Sequence, residues 1–189
     1  LPRPDAARLA LLRQRLVLHR VLVHLPAWQS DALEVRRLAA AARDDAARLE
    51  ALEAQISLLV LLSDFAQAEA TAGDALTLAL RTGDRVAEAR IRQTLGWHLA
   101  DVQGRSVEGL AHLEVACRLA EAAGASDVLY QALCNLAFAR RAEGQCEAAR
   151  ASALRALSLT AYRPGDPPQP AFADALRELG EANAYLGHW

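Results

Sequence analysis

LGWHLADVQGRSVEG (residues 95–109) is echoed about forty residues later by LAFARRAEGQCEAA (residues 136–149). Gly96, Gly104, Ser106 and Gly109 in the first stretch answer to Ala137, Gly144, Cys146 and Ala149 in the second. A third copy opens with Gly180, Gly187 and Trp189. Gly83, Gly124 and Gly165 keep the same beat, each 41 residues from the last. A fixed period of this length marks a stack of helical hairpins, in which each unit buries its apolar face only against its neighbours. Function is thereby bounded as a class: a scaffold that binds something.

Composition agrees. Alanine and leucine dominate, only Ile56 and Ile91 are isoleucines, and no stretch alternates apolar and polar residues over a strand length. Alanine and leucine lose little side-chain freedom in a helix. Lysine is absent; all 21 basic residues are arginine. That rules out a P-loop lysine, a Schiff-base lysine and a kinase-type lysine. GxSxG, GxGxxG and HExxH motifs are absent too, so no enzyme chemistry and no cofactor are expected. The arginine-for-lysine bias suggests a high-GC bacterial source, and the lack of methionine suggests a piece of a longer protein.

Net charge is −2. Residues 1–48 carry nine arginines against five acids, and residues 49–189 carry twelve against eighteen. Such a scattered excess is no nucleic-acid footprint. The apolar run Leu9–Leu25 is interrupted by Arg13, Arg15, His19, Arg20 and His24, which reads as an amphipathic helix and not a membrane span. Cys117, Cys134 and Cys146 have no CxxC spacing, and the five histidines no ligand spacing, so free thiols in a reducing cytoplasm and no metal are expected.

Start and stop signals lay out nine helices: about 5–25, 31–43, 45–62, 65–81, 85–102, 106–123, 127–143, 145–161 and 171–186. Pro26 is read as ending the first, and Asp31 with Glu34 as capping the second. The Pro-rich stretch 163–170 is read as an extended connector. Connections of two to four residues force antiparallel neighbours. The strip Val17, Val21, Leu22 and Leu25 has no preceding repeat to cover it, so either neighbouring segments of a longer protein cover it or the terminal helices self-associate.

Aligned in this way, the chain resembles the tetratricopeptide repeat (TPR) family, in the long-period form of bacterial multidomain regulators. The resemblance rests on the small residue in mid helix A (Gly96, Ala137, Gly180), the turn glycine (Gly104, Gly144, Gly187), the residue opening helix B (Phe65, Ser106, Cys146, Trp189) and two further small positions (Ala68, Gly109, Ala149; Ala75, Ala116, Ala156). It implies an all-α, right-handed α-solenoid spanning 1–189, about four and a half repeats at roughly 5–43, 45–82, 84–124, 126–162 and 171–189. The period near 40 exceeds the family's 34, and the pair carrying Pro26 and Trp28 fits loosely. The family's groove positions fall here on Arg90, Gln93, Trp97, Asp101, Gln131, Cys134, Phe138, Arg141, Arg177, Glu181 and Tyr185. The resemblance implies a protein or peptide partner, or another domain of the same chain, held in a cytoplasmic signalling or transcriptional regulator, with no direct nucleic-acid or membrane contact. The other reading is a sensory arm for a small-molecule inducer, which would show as a closed pocket of about 300–1,000 Å³. Packing between A helices competes with groove lining for Trp97 and Phe138.

Overall fold

The computed structural model describes residues 4–22, 24–165 and 172–188, with the backbone alone at 4, 17 and 19–22. Among them the chain is all-helical. The elements are α1 (Pro4–Leu22), α2 (Leu25–Ala42), α3 (Asp45–Leu61), α4 (Phe65–Thr82), α5 (Arg85–Asp101), α6 (Ser106–Ala122), α7 (Ser126–Ala142), α8 (Cys146–Ser158) and α9 (Ala173–Leu186). Within each unit consecutive helices pack on one another, α1 to α4 in the first and α6 to α9 in the second, which is the packing of an α-solenoid. The chain forms two compact units, Leu1–Ile91 and Arg92–Trp189.

The turns explain the beat. Each described helix junction from α2–α3 to α7–α8 has one residue in the left-handed region: Arg43, Ser63, Gly83, Gly104, Gly124 and Gly144, at φ between 56° and 73°. At the first of these the amide of Arg43 donates to Ala40 O and that of Asp44 to Ala39 O, closing the helix with a Schellman pair. Asp44, Asp64 and Asp84 then open the next helices, accepting from the amides of Ala47, Gln67 and Ala87 at 2.9, 3.3 and 2.9 Å. Arg43 and Ser63 occupy the position where the later turns use glycine. A side chain there costs about 1–2 kcal/mol, against about 0.5–1 kcal/mol for glycine's extra freedom when unfolded. Arg43→Gly and Ser63→Gly are each expected to stabilise by about 0.5 kcal/mol, read as a higher urea midpoint at unchanged m-value.

Pro26 does not end the first helix. It sits in the first turn of α2, where its missing N–H is not needed and its φ is preset. His24 is the cap, its Nδ1 accepting from Ala27 N at 3.4 Å. Asp31 is therefore a mid-helix residue, paired with Arg15 at 3.0 Å. The shift places α2 in register with the other B helices. Trp28 and Val35 stand three and ten residues after its start, where α4, α6 and α8 carry Ala68 and Ala75, Gly109 and Ala116, and Ala149 and Ala156. Trp28 is 1% exposed and fills the core of the first unit with Leu9, Leu12, Leu16 and Leu38. Bulk at these two positions is why the first pair matches the repeat loosely.

Small residues set the spacing in the second unit. A Cβ on Gly109 would stand 2.6 Å from Gly96 O and 2.8 Å from Ala100 Cβ. On α7 and α8, Ala137 and Ala149 are buried at 0% and 1% exposure. Gly180 of α9 differs: it is exposed, and a methyl added there would meet nothing within 4 Å. The connector's residues 166–170, Trp189, the opening of the ninth helix at 171 and the side chains of Val17, Val21 and Leu22 lie outside the described residues.

Candidate functional site

The expected groove residues divide between the two units. In the second unit α7 and α9 bring five of them together: Phe138, Arg141, Arg177, Glu181 and Tyr185. The Arg141 guanidinium lies over the Phe138 ring at 5.3 Å and over the Tyr185 ring at 5.9 Å. Its Nη2 is 2.6 Å from Glu181 Oε2 and 3.5 Å from Glu178 Oε2. Arg177 Nη1 stands 2.5 Å from Glu178 Oε1, a charge contact without hydrogen-bond alignment. Tyr185 remains 71% exposed, a large aromatic face in water beside a fixed guanidinium.

Glu178 is the centre of this cluster. It is 1% exposed, and burial raises its carboxyl pKa against the pull of Arg177 and Arg141. Two arginines converge on it because an isolated buried carboxylate is costly. The same arrangement recurs in the first unit. Glu53 on α3 lies 3.0 Å from Arg90 Nε on α5, and Arg13 on α1 makes two hydrogen bonds to Glu50 on α3 at 2.6 and 2.5 Å. All three pairs, 13–50, 53–90 and 141–178, are 37 residues apart and join one A helix to the next. No recurring spacing of acids in the sequence marks Glu178 or Glu53, and a groove read from its arginines alone misses both.

Arg90 and Arg141 are thus partnered within the chain, and an incoming anion would compete with Glu53 or Glu178 and Glu181. Gln131 and Asp101 are exposed, and Gln93 and Trp97 half-buried; none of the four joins the described cluster. Cys134 does not line a surface. It is 4% exposed beside Tyr130, whose hydroxyl accepts from Ala175 N on α9 at 3.4 Å. Burial pushes its thiol up to about 12, and that of Cys117 to about 11, so both stay protonated at neutral pH and neither supplies a thiolate. His98 is 1% exposed, with its Nε2 3.0 Å from Gln103 Nε2 in the turn after α5.

Three clefts of ligand-sized volume open elsewhere. One of about 450 Å³ is lined by Leu9, Arg13, Leu38 and Asp44, and one of about 520 Å³ by Arg8, Leu11, Leu33 and Arg37. A third of about 390 Å³ lies among Glu114, Cys117, Arg140 and Arg155. None of the three includes Phe138, Arg141 or Tyr185. Among the described residues no group of His, Cys, Asp and Glu is placed to hold a metal ion, and no helix is long and apolar enough to cross a membrane.

No family model matches the chain, and no curated protein matches it. Its fold is similar to that in the crystal structure of BtubC (BKLC) from P. vanneervenii, with a TM-score of 0.67 and 12% sequence identity, over 98% of this chain and 85% of that one. At that identity the likeness speaks for the fold alone.

Proposed function

We propose that the chain is a TPR-like helical-repeat scaffold that binds a protein or peptide segment, within a cytoplasmic signalling or transcriptional regulator of bacterial type. The observation that carries this is the exposed Tyr185 ring held beside Arg141, Phe138 and Glu181 on α7 and α9. Tyrosine and arginine dominate binding hot spots because they join apolar area to directional donors. The guanidinium is already fixed by Glu178 and Glu181, so little of its side-chain freedom is lost when a partner docks. No step of bond chemistry is assigned to the site; it orients and holds.

Tyr185→Ala tests the reading without disturbing the core, since the side chain is 71% exposed. The expected outcome is loss of partner capture by about tenfold or more, the scale of a hot-spot aromatic, with helicity by circular dichroism unchanged. Equal recovery of the same partner by both proteins would remove this face from the account.

The inducer reading draws support from the 450 Å³ cleft, whose volume suits a small ligand. That cleft is lined by residues of α1, α2 and the turn after α2 and by none of the α7–α9 aromatic residues, and the protein-binding reading is preferred.

A further inference from the structure

The cleft of about 390 Å³ among α6, α7 and α8 lies within the second unit, and none of the groove residues read from the sequence lines it. Its floor is neutral. Leu133 and Leu136 of α7 are buried there, and Cys117 of α6 keeps its proton. Its charge resides in five side chains: Glu114, Arg118 and Glu121 of α6, Arg140 of α7 and Arg155 of α8. The neighbouring acids Glu143 and Glu147 do not line it.

Four of the five are paired with one another across helices. Arg140 Nη2 is 3.2 Å from Glu114 Oε1, and its Nη1 donates to Ser152 Oγ of α8 at 2.9 Å. Arg155 is bound to Glu121. Arg118 is the fifth. Glu114 stands four residues before it and Glu121 three after, the two positions from which a helix supplies a carboxylate to an arginine. Both carboxylates are taken by arginines of other helices, and among the described residues Arg118 has no hydrogen bond and no ion pair. Arg140 is the opposite case: its side chain is only 24% exposed and is fixed by contacts to α6 and α8. A preset guanidinium and an unengaged one thus line the same concavity, which has the volume of a small-ligand site.

We propose that this cleft binds a monocarboxylate with a short apolar stem. The carboxylate pairs with the Arg118 guanidinium, whose planar fork matches it bidentately. The stem lies over Leu133, Leu136 and the Cys117 thiol. Charge selects the class. The three guanidiniums and two carboxylates of the lining leave one positive charge to neutralise, which a single carboxylate does. A phosphate monoester carries about −2 at neutral pH and would leave negative charge beside Glu114 and Glu121. An ammonium would meet Arg118 as a like charge. A free acid and the C-terminus of a peptide carry the same chemistry, so both are tested.

The test titrates the ¹⁵N-labelled whole chain with hexanoate, hexylammonium, hexyl phosphate and N-acetylglycyl-leucine, followed by NMR at the backbone amides and arginine Nε–H groups. Hexanoate or the dipeptide is expected to give saturable shifts confined to α6, α7 and α8, the Arg118 Nε–H among them. Tighter binding of hexanoate assigns the site to a free acid and tighter binding of the dipeptide to a chain terminus; either supports the proposal. Hexylammonium and hexyl phosphate should bind about tenfold more weakly or worse. Arg118→Gln should weaken carboxylate binding by about tenfold. That side chain is exposed and unpaired, so the variant keeps its fold, and an unchanged spectrum away from the cleft checks it. No saturable shift from either carboxylate, equal binding of hexylammonium or hexyl phosphate, or unchanged affinity in Arg118→Gln overturns the proposal.

Discussion

Gly109→Ala is expected to destabilise the second unit by about 3 kcal/mol, the upper part of the range for overpacking a tight contact. The added methyl would meet Gly96 O at 2.6 Å and Ala100 N at 3.0 Å. Both are backbone atoms, so no side-chain rotation relieves the clash; α5 and α6 must separate. Gly180→Ala gives the opposite sign. Nothing lies within 4 Å of its added Cβ and it sits inside α9, so the gain in helix propensity, about 0.5–1 kcal/mol, is the whole effect. Chemical denaturation of the two variants beside the parent checks both. If they shift in the same direction, the notch between Gly96 and Gly109 is not what spaces these helices.

The second large effect is electrostatic. Glu53 is held largely out of water, and burial lifts its carboxyl from 4.5 to about 7, in spite of Arg90 at 3.0 Å. The folded chain therefore binds this proton more tightly than the unfolded chain. Its contribution favours folding below about pH 4.5 and is lost as the pH rises through about 7. Each pKa unit is worth about 1.4 kcal/mol, so the ionised carboxylate costs roughly 3 kcal/mol at pH 8. Glu53→Gln is expected to recover most of that at pH 8 and to change little at pH 4.5. Urea unfolding across this pH range should show a flatter stability profile for the variant; a parallel pair of profiles would mean that Glu53 is solvated when folded.

Much of the fold was legible because its signals are local. A left-handed turn residue followed by an aspartate cap marks a helix junction whatever surrounds it, and the regular return of Gly83, Gly104, Gly124 and Gly144 exposes the period. Where the same turn is made by Arg43 or Ser63, that mark disappears, although the backbone is unchanged. Pro26 misleads because proline is compatible both with stopping one helix and with starting the next. That ambiguity hides Trp28 and Val35 in the slots that later repeats fill with alanine and glycine.

The site was less legible, for a different reason. Helical register places Phe138, Arg141, Arg177, Glu181 and Tyr185 on facing sides of α7 and α9, and these do meet. Register does not say how deep a residue lies. Cys134 shares the stripe of Phe138 yet sits beside Tyr130, under the start of α9, and Glu178 is buried one position from exposed Arg177. Depth depends on which helix closes over the position, and that is a long-range fact. The pairing of groove arginines with acids 37 residues away is likewise visible only once the A helices are side by side.

The binding role of the α7–α9 face is best tested by site-specific photocrosslinking. Tyr185→p-benzoylphenylalanine places the probe on the proposed face, and Val107→p-benzoylphenylalanine, on α6, is the control; both native side chains are 71% exposed, so solvent access is matched. Illumination in cells is expected to join position 185 to a defined protein segment while position 107 yields only scattered background. The same products from both positions, or none from 185, would contradict it.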